Sequence, residues 1–142
     1  MARSDTVLVP VDFSRGADKA FDYALRLARE RRGKVLGLHV VPAELVYPPM
    51  GGRFDFYRLL ERDARANFAK LLKRKRLQPK DCELVLARGT DFADVIARQA
   101  KKLRVSMIVM GSHGRTGLRR FLLGSVAERT IRYAACPVLI VK

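Results

Sequence analysis

No apolar run in this 142-residue chain is longer than a buried strand needs, so no segment is expected to span a bilayer. The opening residues, Met1 to Asp5, lack an apolar signal region, and the protein is expected to stay in the cytoplasm. Cysteine is scarce. Cys82 and Cys136 lack the paired spacing of a zinc site and are too few for a disulfide framework, which leaves reduced thiols in the core as the reading. Histidine is limited to His39 and His113. Ser112, His113 and Asp12 do not make a hydrolytic triad, because neighbours on one loop do not present nucleophile and base to each other and no Gly-x-Ser-x-Gly elbow exists. Both histidines read as packed or solvent-facing side chains. Acidic residues do not cluster, so no metal site built from protein side chains is predicted. The two common phosphate signatures, Gly-x-x-x-x-Gly-Lys-Ser/Thr and Gly-x-Gly-x-x-Gly, are also missing.

What the chain does have is strict alternation. Thr6 to Val11 is a β-branched run, and Ser14 then caps a helix with Ala17, Ala20, Phe21, Ala24, Leu27 and Ala28 at helical spacing. Lys34 to Val41 is a second strand, and a loop rich in proline and glycine runs from Pro42 to Gly52, long enough to cover a ligand or to be a plain surface loop. A second helix puts Phe56, Leu60, Ala64, Phe68 and Leu71 on one face and stops before Pro79. Glu83 to Ala87 is a third strand, and Thr90 or Asp91 caps a helix with Phe92, Val95, Ile96, Ala100 and Leu103 inward. Val105 to Met110, Ser125 to Ala134 and Val138 to Val141 complete the series as strand, helix and strand. Such an order in one domain, residues 1–142, predicts an α/β fold, a parallel sheet with helices on both faces.

Ligands of such sheets bind beyond the carboxyl ends of the strands, where the strand order reverses. The usual winding would place Asp12 and Gly111 across one crevice there. Residues 111–125 hold four of the ten glycines between the fourth strand and the last helix, a place where backbone amides can meet an anion. Pro10 cannot donate to a ladder, which a strand end beside a ligand would tolerate.

The pattern Gly111-x₂-Gly114-x₉-Gly124-Ser125, with Val9-Pro-Val-Asp12 and Cys136-Pro-Val-Leu-Ile-Val141, resembles the ATP-binding branch of the universal stress protein family. The resemblance implies a Rossmann-like three-layer α/β/α domain with a five-stranded parallel sheet of order 3-2-1-4-5. It also implies that Asp12 and Val40 contact adenine with Pro10 and Val11 beside it, and that Met110 and Gly111 lie near the ribose. Gly114, Gly124 and Ser125 would take the phosphates of ATP through backbone amides, with Arg115 and Val126 adjoining and Mg or Mn held by the phosphates alone. The implied protein is a nucleotide-occupied regulator of the stress response, pairing through its last strand and acting on unknown protein partners. With no positioned base or nucleophile it would hydrolyse ATP slowly at most. An ATP-hydrolysing enzyme, a dimeric interaction module without nucleotide, and a nucleic-acid-associated protein using a basic surface are the alternatives to it.

Net charge is +15, and the cations are not scattered. Arg29, Arg31 and Arg32 close the first helix, residues 73–76 the second, and Lys101, Lys102 and Arg104 the third, while Arg129 and Arg132 lie late in the fourth. Cations at helix C-termini complement the macrodipole. In a parallel α/β sheet these ends share one edge, so a basic belt is expected opposite the crevice, most often a solvated face and otherwise one that meets nucleic acid, anionic lipid or an acidic protein partner.

Overall fold

The computed structural model describes residues 5–43, 56–113 and 122–142. Strands β1 (Thr6–Pro10), β2 (Lys34–Pro42), β3 (Cys82–Gly89), β4 (Met107–Gly111) and β5 (Val138–Val141) alternate with helices α1 (Arg15–Glu30), α2 (Phe56–Arg74), α3 (Phe92–Lys102) and α4 (Ser125–Tyr133). The sheet order is β3-β2-β1-β4-β5, and every pairing is parallel, as the alternation and the resemblance predicted.

Period-two side-chain alternation in the central strands builds two cores at once. Val7, Val9, Val35 and Val109 face α1 and α2, where Phe21 meets Phe68 edge-on at 6.0 Å between ring centroids. Leu8, Leu36, Leu38 and Ile108 face α3 and α4, against Val95, Ile96 and Ala127. The strands are therefore covered on both faces.

The helix starts follow their caps. The Ser14 hydroxyl accepts the Ala17 amide at 3.2 Å, and the Asp91 carboxylate accepts that of Asp94 at 3.3 Å. Partial desolvation pushes the Asp91 carboxyl up, but the Asp94 amide and the Arg129 guanidinium outweigh it and hold the group below the usual carboxylate range. Cys82 is buried in β3, and desolvation pushes its thiol up to about 12, so it stays protonated at neutral pH.

Three details differ from the sequence reading. Phe92 is not inward: as the first residue of α3 it stands past the strand ends, 36% exposed. β4 begins at Met107 and not at Val105, because the Val105 amide turns back to the Ala100 carbonyl and closes α3. Finally, α1, α2 and α3 are each followed by an arginine in the left-handed region, Arg32, Arg76 and Arg104, with φ of 52°, 57° and 52°. Each such residue costs roughly 1–2 kcal/mol relative to an ordinary backbone conformation.

Candidate functional site

The sheet order reverses between β1 and β4, and this places the carboxyl ends of both strands at one opening. β1 pairs with β4 through Val7 and Met107, then Leu8 and Ile108. Continued along both chains, that register carries Val11 and Asp12 alongside Gly111 and Ser112. A cleft of about 480 Å³ opens there, within the size range of small-molecule sites.

Nine residues singled out from the sequence line this one cleft: Pro10, Val11, Asp12, Val40, Met110, Gly111, Gly124, Ser125 and Val126. Gly114 and Arg115 lie outside the described residues, as do most of the loop that follows Pro42 and the remaining glycine of the 111–125 segment. Pro10 is the last residue of β1, past the last β1–β4 pair, so its missing N–H breaks no ladder bond there. The Val11 amide still reaches the Leu38 carbonyl at 2.8 Å and holds the strand end to β2.

Asp12 is half-buried, and its Oδ1 accepts the Ser14 amide at 3.0 Å, which shapes the turn into α1. Between them Phe13 is held at φ 63°, an unusual conformation for a bulky residue and one that collects at functional sites. Its ring sits 5.2 Å from that of His39, centroid to centroid. His39 Nδ1 lies 2.7 Å from the Val11 carbonyl oxygen, which can only accept, so this nitrogen carries the proton.

Close backbone approach explains two of the glycines. A Cβ on Gly111 would lie 2.9 Å from the backbone of Gly16, and one on Gly124 would lie 2.9 Å from the Ser112 carbonyl oxygen. Neither has a left-handed backbone; Gly124 is extended, with φ −60° and ψ 151°. The Gly124 amide donates to Ser112 at 2.6 Å, and the Ser112 amide to Val141 at 3.1 Å, which ties the start of α4 to the ends of β4 and β5.

This narrows one expectation. The Gly124 amide is already engaged, so the anion-facing donors at this helix start are the amides of Ser125, Val126 and Ala127, which a helix leaves without internal partners. Among the described residues no side chain caps α4, in contrast with α1 and α3. The uncapped N-terminus opens into the cleft, where its dipole favours negative charge. Nearby, His113 also lines the cleft, and its Nδ1 is buried without a hydrogen-bond partner among the described residues.

Sequence reasoning missed one wall. Leu60, Asp63, Ala64 and Asn67 of α2 line the cleft, with Phe92 of α3 at its rim. The spacing of Leu60, Ala64 and Phe68 was read as core only, whereas Asp63 and Asn67 stand one turn apart on the cleft side. His39, read as merely packed or solvent-facing, is also a cleft residue. Among the described residues, no group of three or more His, Cys, Asp or Glu side chains could hold a metal ion.

A sequence model described as the universal stress protein family matches residues 4–142. The universal stress protein MJ0531 of Methanocaldococcus jannaschii is 34% identical over 96% of this chain and 81% of its own length. The universal stress protein YxiE of Bacillus subtilis is 31% identical, over 96% of this chain and 97% of its own. Among solved structures, a universal stress protein from Archaeoglobus fulgidus in complex with dAMP superposes with a TM-score of 0.66. It is 26% identical, with all of both chains covered.

Proposed function

Because this chain belongs to the universal stress protein family, we propose that its cleft binds an adenine nucleotide, ATP by preference, and that occupancy regulates a stress response through protein partners. One observation carries the reading: Asp12 and the start of α4, which no described side chain caps, line one cleft at the reversal of strand order. The triphosphate would meet the amides of Ser125 and Val126, with Gly124 leaving room for close approach and Gly114 and Arg115 adding to the grip. The base would lie between Asp12 and Val40, beside Pro10 and Val11, and the ribose near Met110 and Gly111. Mg or Mn would be held by the phosphates.

The dAMP complex of the Archaeoglobus fulgidus relative supports the adenine part of this assignment. Hydrolysis would be slow at most. Calorimetric titration of the purified chain with ATP should show saturable binding at one site per chain, together with release of an adenine nucleotide on denaturation of protein that arrives loaded. A flat titration of nucleotide-free protein would remove the proposal.

Pairing through β5 completes it. β5 stands at the sheet edge with β4 as its only partner strand among the described residues, and its uncharged apolar edge invites a second strand. Ile131 and Tyr133 on α4, the helix that packs on β5, are 46% and 49% exposed, as an interface would require. Sedimentation at micromolar concentration should give a dimer; a monomer throughout would refute this pairing. We place the protein in the cytoplasm, where adenine nucleotides are abundant and its two thiols stay reduced.

A further inference from the structure

The edge of the sheet opposite the cleft is where strands begin and helices end, since every strand pair is parallel. Three helices finish there in one way. The amides of Gly33, Leu77 and Val105 reach back to the carbonyls of Ala28, Leu72 and Ala100 at 2.7, 2.9 and 3.1 Å. Those of Arg32, Arg76 and Arg104 reach Arg29, Lys73 and Lys101 at 3.3, 3.1 and 3.2 Å. These are the two closing bonds of a Schellman motif, and the residue with the left-handed backbone in it is ordinarily glycine, which adopts that conformation without a steric penalty.

The chain has ten glycines and puts none at these three positions. Arginine stands at all three. Helix stability does not explain the choice, because a lysine or arginine elsewhere in the last turn complements the dipole equally well, and Arg29, Lys73, Arg74, Lys101 and Lys102 already do so. What the three share is a place on one surface. Arg32, Arg76 and Arg104 are exposed and make no ion pair with a described residue. Lys34, Lys80, Lys101 and Lys102 stand exposed beside them. Of the acids at this edge, Asp5 is held by Arg31 at 2.5 Å, Asp81 accepts the Gln78 amide at 2.8 Å, and Glu30 and Glu83 stand exposed, outnumbered by the cations around them.

The surface is continuous. The Lys34 amide bonds the Asp5 carbonyl at 2.9 Å and the Ser106 amide the Thr6 carbonyl at 2.8 Å, so the starts of β2, β1 and β4 adjoin. From β3 to β4 there are three inter-strand steps, about 14 Å. The arginines flank this row of strand starts, Arg32 and Arg76 after the helices of one face and Arg104 after α3 on the other. Guanidinium groups suit phosphate oxygens, which they meet with two parallel hydrogen bonds. Insertion into a membrane calls for apolar anchors and single-strand binding for aromatic platforms. None of the exposed large hydrophobic residues falls within 29–34, 73–80 or 101–106.

We infer that this arginine-studded edge docks the phosphate backbone of duplex DNA without regard to sequence, on the side of the molecule away from the nucleotide cleft. The test is a titration of a labelled random-sequence duplex with the full chain between about 50 and 200 mM salt. Binding is expected, with log K falling linearly against log salt. The triple variant Arg32→Gly, Arg76→Gly, Arg104→Gly should flatten that slope by about 2.7, three contacts at about 0.9 each. Its melting temperature should be no lower than that of the unchanged protein, because glycine accepts the left-handed backbone freely. Loss of binding thus separates from loss of folding.

A control triple, Lys19→Gln, Arg62→Gln, Arg65→Gln, removes the same charge from exposed positions in the cleft-side halves of α1 and α2 and should leave the slope near its original value. Three results would overturn the inference: no binding at the lowest salt, equal flattening by both triples, or tighter uptake by vesicles of anionic phospholipid than by the duplex. ATP calorimetry on the arginine variant should match the unchanged protein, so this result and that of the cleft stand apart.

Discussion

Gly124→Val is expected to lower affinity for ATP by about a hundredfold or more while the chain remains folded. The backbone of Gly124 is extended, a conformation open to any residue, so the substitution introduces no torsional strain. The obstacle is contact. A Cβ would come within 2.9 Å of the Ser112 carbonyl oxygen and 3.4 Å of the His113 Cα, both backbone atoms that cannot rotate away. Either the 112–113 segment or the start of α4 must then shift, and the 2.6 Å bond from the Gly124 amide to Ser112 goes with it. Displacing positioned groups by about 1 Å can cost about a hundredfold in such an arrangement. The amides of Ser125 and Val126 would no longer converge on one point with the turn at Asp12. Calorimetry reads the affinity, and far-ultraviolet circular dichroism reads the fold. An affinity equal to that of the unchanged chain would show that the start of α4 does not hold the phosphates.

Phe21→Ala should have the opposite signature. Phe21 is fully buried on α1, edge-on to Phe68 of α2, with the Lys75 ammonium 5.9 Å from its ring centroid. It does not line the cleft. Truncation leaves a cavity between α1, α2 and the sheet, for which the cost is about 3–5 kcal/mol. At about 4 °C per kcal/mol for a domain near this size, the melting temperature should fall by about 12–20 °C. Lys75, 10% exposed, keeps its contacts with Asp18 at 3.0 Å and Asp22 at 2.6 Å, which hold α2 to α1 after the ring is gone. Below the transition, ATP affinity should stay within about threefold of the original. A fall in melting temperature of only a few degrees would mean that the two helices close over the space, and that the core of this face is softer than its packing indicates.

The pair of variants divides the molecule along a line the chain itself draws. Strand and helix side chains between the layers make the core, and the carboxyl ends of the strands with one face of α2 make the cleft. Much of this was legible beforehand. Helical spacing from Ala17 to Ala28, β-branched runs at Thr6 and Lys34, and the caps Ser14 and Asp91 are local signals. Local hydrogen bonding and burial decide them, so they survive into the structure with ends moved by a residue or two. The glycine spacing likewise pointed to the end of β4 and the start of α4.

Other features have no local signature. The side chain of Asp63 or Asn67 carries no mark that α2 will overhang a cleft, because that depends on how a helix crosses the sheet. The tautomer of His39 depends on a carbonyl twenty-eight residues earlier in the chain, that of Val11. The basic character of the helix ends could be counted in the sequence, but the left-handed backbone of Arg32, Arg76 and Arg104 could not.

By itself the sequence determined the order and kind of the elements, because propensity, periodicity and capping act over a few residues. It determined as well which family motif the chain carries. The tertiary structure alone decided that α2 overhangs the cleft and that the Gly124 amide belongs to Ser112. Those outcomes follow from parallel crossovers, which bring distant segments together by the handedness of the chain path and leave no trace in the spacing of neighbouring residues.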